Sequence, residues 1–220
     1  MLKRMLLASS LLAPIGASAD VVATSGLVQI TAPGYVDDNF LVNQGLPPQV
    51  YWPERKSVTL ATPLTTDTGV IPAGTAVDSY FVAFNTTTIT SATAWINFDA
   101  PILGMVWLDQ LNGFASPNFS LTDFLGSPGT TYLEGSCYQC GFEAIQGTPG
   151  FNGDTALLQA YTAILYPVYS GPGDFARIIV ADPVPVPGPI VGTGIPGLLG
   201  LLGMWWYRRQ RDATPLILLH

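Results

Sequence analysis

Hydrophobic and polar residues alternate with a period of two through much of the middle of the chain. Tyr80, Val82 and Phe84 fall on one side of such a pattern, and a second pattern places Ala92, Ala94, Ile96 and Phe98 together. This alternation predicts half-buried strands. A nearly continuous apolar run over residues 102–108 predicts a strand that is covered on both faces.

Further strands are predicted over residues 21–30, 57–61, 157–169 and 175–181. Breaks rich in proline and glycine separate them, at residues 72–74, 127–129 and 171–173. Residues 120–125 predict one short helical turn capped by Ser120. Many short strands with such turns indicate an all-β domain, and we expect an antiparallel β-sandwich of the jelly-roll type over residues 20–182.

The first nineteen residues have the pattern of a secretory signal peptide, with a short N-terminal signal helix. Lys3 and Arg4 precede an apolar stretch over residues 5–15, and Ala17-Ser18-Ala19 supplies small residues for cleavage. The mature chain is therefore expected to begin near Asp20, outside the cytoplasm.

The C-terminal end predicts a membrane anchor. A proline-rich stalk at residues 183–189 leads into an uncharged apolar segment at residues 190–207, which is long enough for a single transmembrane helix. Arg208, Arg209 and Arg211 then mark a basic cytoplasmic tail at residues 208–220. The alternative, an apolar tail packed in a soluble core, does not account for the aromatic and arginine run at its end.

The stalk, the glycine-rich apolar segment and the arginines together resemble the PEP-CTERM sorting tail of Gram-negative bacteria. The sorting motif is represented by Val186, Pro187, Gly188 and Pro189, with Gly188 where the family usually has glutamate. The resemblance implies an exosortase-type processing enzyme as a partner. It also implies a protein that is either held at the cell envelope or released to the cell surface.

A second resemblance covers most of the middle of the chain. Residues 71–81, 96–104, 123–132, 141–143 and 172–177 are similar, in this order, to an uncharacterised all-β domain that often precedes PEP-CTERM tails. That family implies an exported β domain and no established activity. Glu143 belongs to one of these motifs, and Arg177 is a candidate partner for its charge.

The charge of the chain is unevenly distributed. Eight Lys and Arg residues stand against fifteen Asp and Glu residues, for a net charge of −7. Between residues 20 and 189 only Arg55, Lys56 and Arg177 are basic, against fourteen acidic residues, which gives −11. A nucleic-acid partner is therefore excluded, because phosphate binding needs a basic patch. A calcium site is compatible with this charge, with Glu143 and Asp154 as candidate ligands.

Few residues are available for catalysis. The only histidine is His220, which excludes serine–histidine and cysteine–histidine catalysis in the exported domain. A pair of carboxylates could hydrolyse glycosides, and the candidates are Asp78, Asp99, Glu143, Asp154 and Asp174. Scattered acidic residues in a β domain are more often solvated or bound to turn backbone, so we expect no enzyme activity and no obligatory cofactor.

We expect the two cysteines and the three tryptophans of the domain to have structural roles, with functional roles as alternatives. Cys137 and Cys140 are expected to form a disulfide in an exported chain, with free thiols or a redox pair as alternatives. Trp52, Trp95 and Trp107 are expected in cores, although Trp95 lies opposite the apolar side of its strand and could stack on a sugar.

The expected function is a structural or adhesive cell-surface role, associated with the membrane and with exopolysaccharide. The alternatives are a carbohydrate- or calcium-binding module and a glycoside-acting enzyme.

Overall fold

Strands make up most of the chain wherever its structure is described. The computed structural model describes residues 18–37, 39–85, 90–107, 121–132, 154–169 and 173–183, all within one compact unit, Gly16–Val184. Two short helices are α1 (Phe40–Asn43) and a 3-10 helix (Asp123–Leu125). The strands, in chain order, are β1 Val21–Ser25, β2 Val28–Gln29, β3 Tyr35–Val36, β4 Gln49–Pro53, β5 Val58–Thr59, β6 Leu64–Thr66, β7 Gly69–Ile71, β8 Ala76–Phe84, β9 Thr90–Ser91, β10 Ala94–Phe98, β11 Ile102–Trp107, β12 Thr131–Tyr132, β13 Thr155–Leu158, β14 Thr162–Tyr166, β15 Val168–Tyr169 and β16 Asp174–Ala181.

Two larger sheets contain most of these strands. The four-stranded sheet has the order β1-β10-β14-β13, and all of its neighbours are antiparallel. The six-stranded sheet has the order β11-β16-β8-β4-β2, with β5 also pairing with β8. However, β2 runs parallel to β4, and β12 runs parallel to β3. The sheets are therefore mixed, whereas the sequence predicted a wholly antiparallel arrangement. The prediction of a predominantly β protein is confirmed.

Strand β8 is buried on both faces, which explains why nearly every residue in it is inaccessible. Tyr80, Val82 and Phe84 belong to a core that also contains residues of the four-stranded sheet. Phe81 and Ala83 point to the opposite face and belong to a second core. Successive side chains of β8 therefore point to opposite faces as expected, but apolar residues cover both faces, so the strand is not half-buried as predicted.

The second core is built around stacked aromatic rings. The ring centroids of Trp52 and Phe81 lie 4.6 Å apart in a stacked arrangement, and Phe40 meets Trp52 edge-on at 5.9 Å. Phe175 lies 6.0 Å from both Phe40 and Phe81. The short helix α1 is thus held by its buried Phe40 and Leu41, since four residues are too few for a stable isolated helix.

A tight β6–β7 hairpin covers the open edge of strand β11. The Asp67 carboxylate accepts a hydrogen bond from the Trp107 amide (2.9 Å), and the Thr68 hydroxyl accepts one from the Met105 amide (3.0 Å). The Asp67 amide in turn donates to the Met105 carbonyl (3.1 Å). An edge strand exposes unpaired backbone groups, and this hairpin satisfies several of them.

Several predicted segments lie outside the described residues. These are the body of the signal segment at residues 1–17, Cys137 and Cys140, the sorting motif, the apolar segment at residues 190–207 and the arginines that follow it. Within the part of the chain that the structure describes, no helix is long and apolar enough to cross a membrane. The anchor and the disulfide therefore stay predictions.

The turn after β1 provides a test of the backbone geometry. Gly26 has φ of +78°, and an added Cβ would lie 2.8 Å from the Thr93 carbonyl oxygen, whereas Gly45, at φ of +63°, faces open space. Both substitutions to alanine incur the left-handed penalty of about 1–2 kcal/mol. We expect Gly26→Ala to lower the free energy of unfolding clearly more than Gly45→Ala, as measured by urea denaturation. Equal losses would contradict the close approach of residue 26 to Thr93.

Candidate functional site

Strand β8 carries two separate polar clusters, one on each face. Asp78 and Ser79 are both fully buried, and Tyr80 is 2% exposed. Because successive side chains on a strand alternate, Asp78 and Tyr80 lie on one side of the sheet and Ser79 on the other. We refer to the two groups as the Glu54 cluster, on the Ser79 side, and the Asp78 cluster.

The Glu54 cluster is centred on a bidentate ion pair. Arg177, on β16, donates from Nε to Glu54 Oε2 at 2.6 Å and from Nη2 to Glu54 Oε1 at 2.9 Å, and both side chains are fully buried. Ser79 Oγ donates to Glu54 Oε2 at 2.6 Å, and the Tyr132 hydroxyl donates to Glu54 Oε1. The carboxylate thus receives four hydrogen bonds from three side chains, which compensates for its removal from water.

The remaining face of the Arg177 guanidinium is occupied as well. Nη1 donates to Thr122 Oγ1 at 2.5 Å, and the Asp123 carboxylate lies 3.9 Å away. The guanidinium carbon also lies 5.2 Å from the centre of the Tyr132 ring and 5.8 Å from that of Phe81. The cation therefore interacts with a carboxylate, a hydroxyl and two aromatic faces.

These contacts shift the pKa values of the cluster in directions that keep the ion pair charged. Burial alone would lower the pKa of Arg177, but the charge and hydrogen bonds of Glu54 raise it above its ordinary value. Burial, with the nearby Glu54 charge, raises the pKa of Tyr132 well above 10. Tyr132 accordingly stays a neutral donor, and the cluster is suited to holding strands together and not to exchanging protons.

The Asp78 cluster joins strand β8 to the start of the described chain. Asp78 Oδ2 accepts from the Ala19 amide at 2.6 Å, and Oδ1 accepts from the Ser57 amide at 2.7 Å. Ser57 has φ of +54°, an uncommon value for a residue with a side chain, and this conformation directs its N–H at the carboxylate. Lys56 Nζ lies 3.3 Å from Asp78 Oδ2.

Tyr80 and Lys56 complete this cluster. Both donate hydrogen bonds to the Ala19 carbonyl oxygen, Tyr80 at 2.5 Å, and Lys56 also donates to the Tyr80 hydroxyl. Burial is the largest cause of a Tyr80 pKa well above 10, followed by the charges of Asp78, Asp20 and Asp99. Three carboxylates therefore lie around one lysine and one neutral phenol.

Of the carboxylates predicted to do chemistry, Asp78 and Asp99 both lie near Tyr80, whereas Asp174 lies apart from Asp78. Asp78 and Asp174 lie near opposite ends of the β8–β16 ladder, where Asp78 pairs with Val180 and Asp174 with Phe84. Asp99 is exposed and accepts a hydrogen bond from the Asp20 amide at 2.7 Å. Asp154 is fully buried at the start of β13, and Glu143 lies outside the described residues.

Two surface depressions in the described part of the chain are lined by no carboxylate. One, of about 350 Å³, lies between residues 58–65 and the side chains of Leu121 and Phe124. The other, of about 260 Å³, is formed by Thr68, residues 102–104 and residues 158–160. Among the residues that the structure describes, no group of three or more His, Cys, Asp or Glu could hold a metal ion.

Sequence reasoning missed the partner of Arg177. The structure pairs Arg177 with Glu54, which the sequence analysis did not single out. Glu143 lies outside the described residues, so its pairing with Arg177 stays a prediction. Lys56 and Tyr132 were not singled out either. The available signal was the scarcity of basic residues, because a domain with only three cations between residues 20 and 189 has few ways to neutralise a buried carboxylate.

The tryptophans divide between core and surface. Trp52 is fully buried and Trp107 is 7% exposed, so both lie in cores. Trp95 is half-buried on the outer side of β10, opposite the core residues Ala94 and Ile96. Of the three, Trp95 alone is accessible enough to contact a ligand.

Comparison with known proteins gave no relative from which a function could be transferred. No family model, no curated protein and no solved structure matches the chain.

Breaking the Glu54–Arg177 pair from either side should lower the free energy of unfolding by about 3–5 kcal/mol, because the remaining charge stays buried without its partner. We expect Glu54→Gln and Arg177→Met each to show this loss in urea denaturation followed by tryptophan fluorescence. The double variant should lose clearly less than the sum of the two single variants.

The adjacent Arg55 provides a matched control for this cycle. It is exposed and donates from Nε to the Gly126 carbonyl at 3.1 Å, so Arg55→Met should cost about 1 kcal/mol or less. A Glu54→Gln variant as stable as Arg55→Met would contradict the role assigned to the pair.

Tyr132 should make stability dependent on alkaline pH. Its pKa is raised in the folded protein, so the folded state keeps a proton that the unfolded chain releases above about pH 10, and stability falls as pH rises through that range. Tyr132→Phe should remove part of this fall and should cost about 1–3 kcal/mol at pH 7, since Glu54 loses a donor. Urea midpoints between pH 7 and pH 11 measure both effects.

A second tyrosine-to-phenylalanine variant, outside the Glu54 cluster, controls for the general effect of removing a tyrosine hydroxyl. Tyr161 is 48% exposed, and Tyr161→Phe should change stability at pH 7 by no more than about 0.5 kcal/mol. An alkaline profile of Tyr132→Phe identical in shape to that of the wild type would refute the assignment.

Proposed function

We propose that this chain is an exported cell-envelope protein whose β domain has a structural or adhesive role, without enzyme activity. A C-terminal segment would tether it to the membrane, or would direct its release to the cell surface after processing. The tether is supported by the uncharged segment at residues 190–207 followed by Arg208, Arg209 and Arg211.

The observation that carries the proposal is the position of strand β16. This strand lies between β8 and β11 inside the six-stranded sheet, and it is the last strand before the proline-rich stalk at residues 183–189. Its ladder with β8 extends from the Asp174–Phe84 pair to the Ala181–Val77 pair. The stalk thus follows directly from one of the most extensively paired strands in the domain.

Such a connection suits a domain that is pulled by its tether. Force entering at residue 183 acts along β16, whose hydrogen bonds to both neighbours are perpendicular to the strand and would be loaded together. The Asp182 amide adds a hydrogen bond to the Ala76 carbonyl (3.0 Å), and the Ala181 amide adds one to the Pro101 carbonyl (2.8 Å). Arg177 further joins β16 to the loop that carries Glu54.

We also infer that the two larger sheets pack face to face as a β-sandwich, and we propose that its strands follow a jelly-roll order. The inference is supported by the core that contains Tyr80, Val82, Ala94 and Ile96, because the first two belong to one sheet and the last two to the other. A domain with this architecture would present loops and strand edges to a partner in the extracellular matrix.

The partners proposed from the sequence are the membrane, an exosortase-type processing enzyme and exopolysaccharide. Gly188 stands where such sorting motifs usually have glutamate, so it is the position at which recognition by the processing enzyme would differ most. Cys137 and Cys140 are proposed to form a disulfide in the exported domain.

A carbohydrate-binding module is the second candidate function, and one observation favours it. Trp95 lies on the outer side of β10 beside Asn97, whose side-chain amide donates to Thr162 Oγ1 at 2.7 Å. An accessible indole next to fixed amide and hydroxyl groups is a suitable arrangement for a sugar ring. A calcium-binding role involving Glu143 and Asp154 has less support, because Asp154 is fully buried.

The tether predicts how the protein fractionates. The full chain, expressed from Met1 in a Gram-negative host, should stay with membranes after alkaline carbonate washing, whereas a chain that ends at Pro189 should be recovered in soluble form. Intact-mass analysis then distinguishes the two fates of the tail, because a mass that ends near Pro189 indicates processing and a mass that extends to His220 indicates a permanent anchor.

Charge reversal of the terminal arginines provides the control. Arg208→Glu, Arg209→Glu and Arg211→Glu together leave the apolar segment unchanged but remove the positive charge that fixes its orientation. We expect this variant to be inserted less efficiently. If the full chain and the chain ending at Pro189 were equally soluble, the tether would be ruled out.

A further inference from the structure

Ala19 is integrated into the folded domain more closely than its position in the sequence suggests. It is fully buried, belongs to the core shared with the four-stranded sheet, and lies 59 residues before its hydrogen-bond partner Asp78. Its amide donates to Asp78 Oδ2 at 2.6 Å, and its carbonyl accepts from Lys56 and from Tyr80. Ser18, the residue before it, is only half-buried.

Cleavage after Ala19, which the alanine pattern of the leader favours, would remove all of these contacts. The fully buried Asp78 would lose the donor at 2.6 Å, while Tyr80 and Lys56 would lose their shared acceptor. Leaving a buried polar group without its partner is costly, and more so when the group is charged. The new ammonium group, on Asp20, would lie beside the exposed Asp99, where water screens the interaction.

Cleavage one residue earlier would keep every contact and would strengthen one. The Ala19 nitrogen would become an ammonium group already at hydrogen-bond distance from the Asp78 carboxylate, and a charge-assisted bond is stronger than one from an amide. Because Ser18 is only half-buried, its removal would leave the other protons of the Ala19 ammonium group accessible to water. The added positive charge also offsets Asp20, Asp78 and Asp99, for which Lys56 is the nearby cation among the residues described.

Building on the proposed export, we propose that a signal peptidase cuts the Ser18–Ala19 bond, so that Ala19 is the first residue of the mature chain and its ammonium group binds Asp78. Water supplies the hydroxyl of the new Ser18 carboxyl group and a proton to the Ala19 nitrogen as the amide bond breaks. Both cuts satisfy the requirement for small residues three positions and one position before the bond, with Gly16 and Ser18 for this cut and Ala17 and Ala19 for the later one. The burial of Ala19 is the observation that favours the earlier cut.

The N-terminus of the exported protein tests this assignment directly. The full chain is expressed from Met1 in a Gram-negative host, and the N-terminal peptide is identified by mass spectrometry. A start at Ala19 is the expected result. A start at Asp20 or Ser18 overturns the assignment and leaves the export proposal intact, whereas an exclusively uncleaved chain overturns both.

Two leader variants form a matched pair. Gly16→Leu places a large residue three positions before the proposed cut, and Ala17→Leu does so for the later cut. We expect Ala17→Leu to keep the Ala19 start, and Gly16→Leu to abolish it and yield precursor or an Asp20 start. The opposite pattern would overturn the assignment.

Stability provides a readout that is independent of peptidase preference. Any exported protein that begins at Asp20 should unfold at a lower urea concentration than protein beginning at Ala19. Asp78→Asn should reduce this difference, because a neutral side chain no longer forms an ion pair with the ammonium group. Equal urea midpoints for the two N-termini in the wild-type background would overturn the pairing of Ala19 with Asp78.

Discussion

The buried pair between Glu54 and Arg177 is the interaction on which the arrangement of the six-stranded sheet depends most. Two charges without solvent access must be satisfied entirely by protein groups, and a bidentate geometry with Ser79, Thr122 and Tyr132 achieves this. Such a pair contributes little net stability compared with apolar side chains of equal size. Its effect is to penalise every arrangement in which a member of the cluster is displaced.

The pair also determines which distant segments must meet. Glu54 follows β4, Ser79 is in β8, Arg177 is in β16, and Tyr132 is in β12, so the cluster joins parts of the chain up to 123 residues apart. On the opposite face of β8, Asp78 does the same for Ala19 and the Lys56–Ser57 turn. Strand β8 therefore lies between two polar clusters, one that binds Ala19 near the start of the described domain and one that includes Arg177 near its end. Neither cluster tolerates much displacement of its members.

The sequence predicted the strands whose pattern is local and missed the contacts that are not. Tyr80, Val82 and Phe84 share a core face as their spacing indicates, and β16 begins one residue before the predicted segment at residues 175–181. Strand β4 was missed because Pro47 and Pro48 precede it and Pro53 ends it. Its three central residues are also all buried, which gives no alternation. The link from Glu54 to Arg177 has no periodicity, so only the folded chain identifies it.

The few cations of the domain constrain what its surface can bind. Arg177 is fully enclosed, Lys56 is turned toward Asp78 and the Ala19 carbonyl, and Arg55 contacts the Gly126 carbonyl. Beyond these contacts, which include Glu54 and Asp78, the acidic residues between positions 20 and 189 have little positive charge on the described surface to offset them. An anionic polymer would be repelled by such a surface at low ionic strength. Under the proposed function, a polysaccharide partner of this domain should accordingly be neutral, or acidic with its charges bridged by divalent cations.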